Sequence, residues 1–288
     1  MNRPLPERAV ALLACPVCHG RLAALPGGSG LRCGNGHAFD RARQGQVTLL
    51  PPGHRAPSGD SAEMVADRVA FLGAGHYDGV TRALGDAVLA DDGPRETLLD
   101  LGGGTGHHLA GVLDRLPGAV GVVLDSSPYA ARRAARASDR VLAVVADSWA
   151  RLPIQDGVVD RVLVVFAPRN GAEIARVLRP GGRLVVVTPD ADHLAELVGP
   201  LNLLTVDPAK AERLAAALEP HLRPVATHRH RERLSLDRAA VATLVGMGPH
   251  ARHLARGGLA GALAAFPEPV EVTVSVQLST YEGLSAGR

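Results

Sequence analysis

Short runs of valine and leucine alternate with helical patterns through the middle of the chain, and this alternation constrains the fold more than any other feature. Five runs of strand length recur, over residues 97–101, 121–125, 141–146, 161–166 and 183–188. Strands separated by helices pair in parallel, because each helix returns the chain to the same end of the sheet. The sequence therefore predicts an α/β fold with a mostly parallel sheet.

The segments on either side of this region have other patterns. Helical spacing of apolar residues over 61–89, interrupted at 73–79, predicts two helices ahead of the sheet. Residues 223–236 and 270–279 alternate with a period of two and flank a helical pattern over 237–246. Such segments are typical of antiparallel strands that close a sheet, so we expect seven strands in all.

All three cysteines of this 288-residue chain lie within its first 33 residues, which is not the spacing of a disulfide framework. Cys15 and Cys18 form a C-x2-C pair, and fourteen residues later Cys33 and His37 form a C-x3-H pair. Four such ligands complete a tetrahedral Zn²⁺ site with no position left for water, which predicts a structural metal in a small zinc ribbon. His19 is an alternative ligand, but it adjoins Cys18 and His37 is preferred.

A proline- and glycine-rich stretch over 51–60 has no apolar period and indicates a linker. We therefore expect a zinc-ribbon domain over 1–50, a linker over 51–60 and a larger α/β domain over 61–288. The chain is 46% hydrophobic, enough for each domain to bury its own core. On that basis, a change of Cys33 to serine should unfold only the ribbon.

Charge is unevenly distributed along the chain. Residues 1–58 hold seven arginines and two acidic residues, a net charge of +5, whereas residues 59–288 carry a net charge of −3. A basic module of this kind suits contact with RNA, with Arg41, Arg43 and Arg55 as candidates, although a solvated surface has the same composition.

The apolar runs are too short for a membrane protein. The longest, such as 162–166 and 184–187, have strand length, whereas a bilayer span needs about 20 apolar residues. The apolar stretch 9–14 is too short for the core of a signal peptide. We expect a cytoplasmic protein with no membrane partner.

A glycine-rich turn follows the first predicted strand of the α/β region. Asp100 ends that strand, and glycines at 102, 103, 104 and 106 lead into a helix that begins near His107. Residues without side chains let the backbone approach a ligand closely. A dinucleotide site would need glycine or alanine where His107 stands, whereas an acidic residue before the glycines is typical of S-adenosylmethionine enzymes. This favours a class I, Rossmann-like methyltransferase.

Further candidate cofactor ligands stand at the ends of the next two strands. Asp125 comes 19 residues after Gly106, where a carboxylate can accept hydrogen bonds from both ribose hydroxyls. Asp147 and the adjacent Ser148 end the third strand and are placed to meet the adenine. His107 and His108 begin a helix over the cofactor, where a packing or solvated role is favoured over catalysis.

The loop after the fourth strand faces the sulfonium in this fold and supplies the catalytic candidates. Phe166 is a candidate to stack on the base that accepts the methyl group, and Arg169 and Asn170 are candidates to position its edge. The alternative is that Pro168 and Asn170 only shape a turn, since such loops are rich in turn residues.

Taken in order, these motifs resemble the 23S rRNA (guanine-N1)-methyltransferases, and most closely their tylosin-resistance branch. The resemblance extends through nearly the whole chain. It rests on five motifs: the Cys15–His37 ribbon, Phe-Asp-Arg-Ala-Arg-Gln-Gly over 39–45, Gly-His-Tyr over 75–77, Asp100–His108 and Phe-Ala-Pro-Arg-Asn over 166–170. It is most specific at the ribbon, at Phe-Asp-x-Ala-x-x-Gly over 39–45, at Gly-Gly-Gly-Thr-Gly-His-His over 102–108 and at Ala-Pro-Arg-Asn over 167–170.

The resemblance implies a homodimer that methylates a guanine in a ribosomal hairpin near the peptide exit tunnel, with S-adenosylmethionine as donor. It implies that the zinc module and linker form one wall of an RNA cleft. It places Tyr77 near the cofactor, and it assigns further residues as zinc ligands (Cys15, Cys18, Cys33 and His37) and as the cofactor site (Asp100, Gly102, Gly104, Asp125 and Asp147).

Two departures from the family pattern leave the acceptor open. The segment 45–50 lacks the aromatic and the amide of the family's Gly-Tyr-Val-Asn-Leu-Leu, and Met247-Gly248-Pro249 is followed by His250 rather than an aromatic. Because aromatic side chains stack on RNA bases, one alternative is a methyltransferase of a small secondary metabolite that keeps the ribbon as a lid. A non-catalytic RNA-binding protein is disfavoured by the intact glycine loop.

Overall fold

The structure, a computed structural model, describes residues 4–54, 59–201, 203, 210–248 and 256–284. A small antiparallel sheet near the N-terminus contains β1 (Leu22–Ala24), β2 (Gly30–Cys33) and β3 (Ala38–Asp40). The register pairs Leu22 with Cys33 and Leu31 with Phe39. This is the ribbon that the cysteine spacing predicts.

The main sheet has eight strands in the described part of the chain. In sequence they are β4 (Val47–Thr48), β5 (Thr97–Leu101), β6 (Val120–Asp125), β7 (Val141–Val145), β8 (Val159–Val165), β9 (Leu178–Pro189), β10 (Leu222–Leu236) and β11 (Val270–Gly283). Their order across the sheet is β10-β11-β9-β8-β5-β6-β7-β4. The six strands from β9 to β4 are parallel, and β11 and β10 are antiparallel. The predicted mostly parallel α/β sheet is confirmed.

The strand count differs from the predicted seven because residues before the linker add β4 to the sheet edge. Val47 pairs with Val144 and Thr48 with Val145, and the Leu49 amide donates to the Val145 carbonyl at 2.9 Å. The added strand covers backbone groups of β7 that would otherwise form an open edge. A two-residue strand has no period, so the sequence pattern could not reveal it.

Ten α-helices are described: α1 (Glu7–Val10), α2 (Ala62–Gly73), α3 (Asp78–Leu89), α4 (His107–Asp114), α5 (Pro128–Ala134), α6 (Gly171–Val177), α7 (Ala195–Val198), α8 (Lys210–Leu218), α9 (Arg238–Gly246) and α10 (Arg256–Leu263). Side-chain oxygens of Ser61, Ser127 and Asp237 accept backbone hydrogen bonds at the starts of α2, α5 and α9. Such caps satisfy amides that a helix leaves free, which defines where these helices begin. None of the helices in the described ranges has the length and apolar character needed to cross a membrane.

The ribbon and one face of the main sheet share a single hydrophobic core. Leu13, Leu31 and Leu49 are no more than 1% exposed and belong to the same packed cluster as Leu124 and Val144 of the sheet. The expectation that each domain has its own core is therefore wrong. The contacts between the ribbon and the sheet join residues far apart in the chain, so no local sequence pattern could predict them.

Candidate active site and metal centre

The four predicted zinc ligands lie together at the base of the ribbon. Their ligand atoms, from Cys15, Cys18, Cys33 and His37, are all within 4.8 Å of one another. The Cys33 Sγ is 3.4 Å from the His37 Nδ1, and the Cys18 Sγ is 3.6 Å from the Cys33 Sγ. Three sulfurs and one imidazole nitrogen at such separations suit the tetrahedral coordination of Zn²⁺.

Backbone amides of the C-x2-C turn point at its sulfurs. The Val17 amide donates to the Cys15 Sγ at 3.4 Å. The Gly20 amide is the main cause that lowers the pKa of the Cys18 thiol to about 6. Amides aimed at a sulfur favour the thiolate, which is the form that binds a metal. The donor set and its surroundings therefore fit a structural zinc.

The glycine turn after β5 allows backbone approach where side chains would not fit. Gly102 has φ +65°, and a Cβ there would lie 2.5 Å from the Ala167 side chain. A Cβ at Gly103 would lie 2.5 Å from the Asp100 carboxylate, so this glycine is required as well. Gly104, with φ +57°, faces Arg68 of α2. The turn forms a cradle bordered by the side chains of Ala167, Asp100 and Arg68. Two of its residues, Gly103 and Arg68, were not predicted as site residues.

Asp100 carries the clearest sign that a ligand belongs in this cradle. Its side chain is almost fully buried, and neither carboxylate oxygen has a hydrogen-bond partner within the described residues. Burial, with a smaller effect of Asp125, raises the pKa of Asp100 to about 7. A buried carboxylate without a donor is costly, and the ammonium group of S-adenosylmethionine would supply both a charge and donors. The site fits this cofactor.

Cofactor binding should therefore depend on pH between 6 and 8. The ammonium group selects the ionised form of Asp100, so binding should strengthen as pH rises through 7. If only that form binds, we expect the dissociation constant to be about tenfold higher at pH 6 than at pH 8, by linkage. Calorimetry on the protein and on Asp100→Asn tests this, because the variant should bind weakly and without that slope.

The same group sets a pH dependence of stability without cofactor. The folded-state pKa of Asp100, about 7, lies above the unfolded value of about 3.9. The protonated Asp100 therefore contributes fully to the free energy of unfolding below about pH 4. This contribution is lost as the pH rises from about 4 to the folded-state pKa of about 7. Asp100→Asn should raise the melting temperature at pH 8 and have little effect near pH 4. An unchanged melting temperature at pH 8 would contradict the buried, unpaired carboxylate.

Asp125 at the end of β6 organises the next part of the cradle. Its carboxylate accepts hydrogen bonds from the Gly104 amide at 2.9 Å and the Ser127 amide at 2.7 Å. Burial nevertheless raises its pKa above the ordinary value. Each carboxylate oxygen retains acceptor capacity, since an ionised carboxylate offers about four lone-pair sites. This carboxylate can bind ribose hydroxyls while it holds the glycine turn.

Asp147, the predicted adenine contact, has partners that the sequence did not suggest. Its Oδ2 is 2.9 Å from the Nε2 of His54 in the linker, and its Oδ1 accepts from the Trp149 amide at 2.8 Å. Ser148 between them is half-buried, and the Trp149 side chain is 57% exposed. The linker therefore reaches the carboxyl ends of the strands, where the cofactor is expected. No motif connected His54 with Asp147.

The two histidines at the start of α4 differ in their surroundings. Burial lowers the pKa of His108 to about 3, so the ring is neutral, and its Nδ1 is 2.8 Å from the Thr81 hydroxyl. Burial also lowers the pKa of His107, whose Nε2 lies 3.9 Å from Asp78. The contact of His108 with α3 agrees with the packing interpretation. A cofactor contact for either histidine stays a prediction.

An aromatic wall borders the loop after β8. Phe166 has φ +54°, is 42% exposed, and its ring centroid lies 6.4 Å from Tyr77 and 5.9 Å from His193. Tyr77 is 3% exposed and packs edge-on against Phe71 at 5.0 Å. A positive φ is uncommon for a bulky residue and often marks a functional position. Phe166 therefore presents a ring at the predicted acceptor site.

The other two acceptor-loop residues have structural contacts. The Asn170 Oδ1 accepts from the Glu173 amide at 3.3 Å and caps α6, while its Nδ2 donates to the Trp149 carbonyl at 3.1 Å. An Arg169 nitrogen donates to the Ala167 carbonyl at 3.4 Å. Asn170 thus shapes the loop, as the alternative interpretation of this motif expects. Contact of Arg169 or Asn170 with a base stays a prediction.

Comparisons with known proteins agree with both parts of the structure. Residues 13–56 match a family model described as the N-terminal zinc ribbon of RlmA, and residues 98–182 match one described as a methyltransferase domain. The first match contains all four clustered ligands, and the second contains the glycine cradle. The protein is an S-adenosylmethionine-dependent methyltransferase with a structural zinc ribbon.

Relatives match the chain almost from end to end. A Micromonospora griseorubida protein assigned by name to the 23S rRNA (guanine-N(1)-)-methyltransferases is 51% identical over 93% of this chain and 96% of the relative. The 23S rRNA (guanine(748)-N(1))-methyltransferase of Streptomyces fradiae is 47% identical over 96% of this chain and 99% of the relative. A Bacillus subtilis protein assigned by name to the same group is 32% identical over 83% and 86%. With the zinc cluster and the cofactor cradle joined in one fold, this chain belongs to the 23S rRNA (guanine-N1)-methyltransferase family.

Proposed function

We propose that the protein transfers a methyl group from S-adenosylmethionine to the N1 atom of a guanine in 23S rRNA. The observation that carries this proposal is the near full-length similarity to the Streptomyces fradiae enzyme, which includes the ribbon as well as the methyltransferase domain. The basic N-terminal segment, with a net charge of +5 over residues 1–58, supports an RNA substrate.

In this proposal three acidic residues at strand ends hold the cofactor. Asp100 binds the amino group of the methionine end, Asp125 the ribose hydroxyls and Asp147 the adenine. Bound S-adenosylmethionine supplies an electrophilic methyl group. The protein has to align the guanine N1 with that group, because methyl transfer is an in-line displacement that depends on orientation, and the proton on N1 has to pass to a base or to water as the new bond forms. We propose that Phe166, which is 42% exposed and precedes the Ala167 that borders Gly102, stacks on the guanine.

The proposed ligand set of the zinc is Cys15, Cys18, Cys33 and His37. We also propose that the protein works in the cytoplasm as a homodimer, as the family resemblance implies. Light scattering coupled to size-exclusion chromatography measures the mass of the assembly. A monomer at working concentration would remove the dimer from the proposal and leave the reaction unchanged.

The structure reduces the weight of one part of the first departure, the missing aromatic, whereas Thr48, at the position of the family's amide, is exposed. Gln46 stands where the family has an aromatic, but this residue is only 6% exposed, and a Cβ at its neighbour Gly45 would lie 3.2 Å from the Ala135 side chain. A buried position does not offer a ring to RNA. The second departure, at Pro249 and His250, lies outside the described residues. The small-metabolite alternative therefore has less support than the rRNA substrate.

Primer extension tests the proposed reaction. Methylation of guanine N1 removes a Watson–Crick donor, so reverse transcriptase should stop one nucleotide before the modified base. The template is 23S rRNA from cells with and without the protein, and the first position to read is guanine 748, the target of the Streptomyces fradiae relative. A protein-dependent stop supports the proposal. The absence of methyl transfer to rRNA, ribosomes and hairpin transcripts would leave the small-metabolite alternative.

We further propose that this methylation protects ribosomes from a macrolide, which the resemblance to the tylosin-resistance branch implies. A sensitive host carrying the gene should then grow at tylosin concentrations that inhibit the host alone. The Asp125→Ala variant is the control, since it should lose protection together with cofactor affinity.

A further inference from the structure

A cationic pocket lies where the ribbon meets the methyltransferase domain. It has a volume of about 340 Å³, and the residues that line it include Gln44, Val65, Tyr129, Arg132, Arg133 and Arg136. Gln44 follows β3 of the ribbon, Val65 is on α2, and the other four belong to α5 or the turn after it. We call this site the arginine pocket. Three separate segments build it, so it forms only in the folded chain.

The three arginines have no acidic partner among the described residues, although most described arginines do. Arg140, a few residues further along, pairs with Asp114 at 3.3 Å, and Arg68 on α2 pairs with Asp60 at 2.6 Å. Arg132, Arg133 and Arg136 are all exposed. Three neighbouring guanidinium groups repel one another. A pocket of one sign of charge concentrates an anionic ligand, and none of the described carboxylates forms an ion pair with these three arginines.

Tyr129 adds an aromatic surface beside these charges. Its side chain is 43% exposed, and the Arg132 guanidinium carbon lies 5.4 Å from its ring centroid. Arg132 and Arg133 follow Tyr129 by three and four residues, which places the three side chains on one side of α5. Arg136 stands in the turn directly after this helix and lines the same pocket. Guanidinium groups beside an exposed ring match a chain of phosphates that carries stacking bases.

We propose that the arginine pocket binds the sugar–phosphate backbone of the substrate RNA and that Tyr129 stacks on one of its bases. This inference rests on the proposed function and adds to it where the RNA is held. The segment 125–129 joins the two sites, since Asp125 ends β6 in the cofactor cradle and α5 begins three residues later. RNA in the pocket is thereby held beside the cradle.

The pocket is a better RNA contact than the ribbon arginines that the sequence suggested. Arg41 donates its Nε proton to the Gly45 carbonyl at 3.1 Å and approaches the Gly28 carbonyl with another nitrogen. It therefore supports the loop that contains Gln44. Arg43 is exposed, and Arg55 lies outside the described residues. Replacing Arg41 would disturb the ribbon itself, whereas Arg132, Arg133 and Arg136 can be changed at the surface.

The test compares RNA binding by the wild type and by the triple variant Arg132→Ala, Arg133→Ala, Arg136→Ala. The probe is a 23S rRNA hairpin transcript that contains guanine 748, titrated at several salt concentrations. Loss of three phosphate contacts should reduce the slope of log affinity against log salt by about two to three units. At 0.1 M salt the triple variant should bind at least about tenfold more weakly, while its affinity for S-adenosylmethionine stays unchanged.

Two further variants separate charge from stacking. The corresponding triple lysine variant should keep most of the salt slope, because phosphate contacts need the charge rather than the guanidinium. Tyr129→Ala should weaken RNA binding about 5- to 150-fold without changing the slope, the usual loss of one stacking partner. Melting temperatures show that each variant is folded.

A matched control removes the same charge at the far edge of the sheet. Arg229, Arg231 and Arg233 are exposed on β10, and all three pair with acidic residues. Their triple alanine variant should retain RNA affinity and slope. If the β10 variant loses as much RNA affinity and slope as the pocket variant, the loss reflects net charge alone and the proposed pocket is wrong.

The possible results separate a failure of the arginine-pocket proposal from a failure of the proposed rRNA methylation. A wild type that methylates the transcript, beside a pocket variant with wild-type affinity and slope, overturns the pocket alone. A wild type that neither binds nor methylates the transcript overturns both. Weakened binding by the pocket variant, with the β10 control unaffected, supports the proposal.

Discussion

Cys33→Ser should remove the zinc and destabilise the whole protein, not only its first 50 residues. Cys33 is one of the four proposed zinc ligands, whose ligand atoms all lie within 4.8 Å of one another, and structural zinc contributes apparent free energies of about 10–16 kcal/mol in small metal-dependent domains. Without it the ribbon should unfold. The consequence extends further because Leu13, Leu31 and Leu49 are buried in the core of the main sheet.

The size of this effect follows from those contacts. Exposing three buried leucines costs about 5–9 kcal/mol at roughly 1.5–3 kcal/mol each, which is comparable to the total stability of many domains. The edge of β7 would also lose its pairing with Val47 and Thr48. We expect a lower melting temperature for the methyltransferase domain, faster amide exchange in β7 and no bound zinc by metal analysis, against one zinc per chain in the wild type.

His19→Asn is the matched control for the ligand set. His19 adjoins Cys18 and has φ +59°, a conformation that asparagine tolerates. The variant should keep one zinc and wild-type stability, while His37→Asn should lose the metal. If His19→Asn loses the zinc and His37→Asn keeps it, then His19 is the fourth ligand and His37 is not. A Cys33→Ser protein whose methyltransferase domain melts like the wild type would show that the two domains are energetically independent.

Asp125→Ala should weaken binding of S-adenosylmethionine by about 1.5–3 kcal/mol, which is roughly 10- to 150-fold. The carboxylate has two tasks that alanine cannot perform. It is placed to accept hydrogen bonds from the ribose, and it also holds the Gly104 and Ser127 amides. The loss should therefore include a loosened glycine cradle as well as missing ribose contacts.

Asp147→Ala provides the comparison. We expect a smaller loss there, because the adenine also gains from apolar packing, and because among the described residues Asp147 holds one backbone amide, that of Trp149, where Asp125 holds two. Calorimetry on both variants at pH 8 measures the difference, since Asp100 is then ionised. Unchanged affinity in Asp125→Ala would move the ribose contact elsewhere, and a larger loss in Asp147→Ala would reverse the two assignments.

The sequence alone was sufficient for the class of fold, for the zinc ribbon and for the identity of the cofactor. Helix and strand periods are local, so the alternation over 97–188 predicts a parallel sheet without any knowledge of packing. The C-x2-C and C-x3-H pairs place four ligands by short spacings. Asp100, Asp125 and Asp147 end neighbouring parallel strands, and such ends meet at one edge of a sheet.

Only the tertiary structure decided how the ribbon and the methyltransferase domain are joined. The strand Val47–Thr48, the shared core around Leu31 and Leu49, the contact of His54 with Asp147 and the arginine pocket all connect segments far apart in the chain. Local propensity carries no information about such contacts, because their free energy comes from apolar burial and charge placement that exist only after the chain has folded.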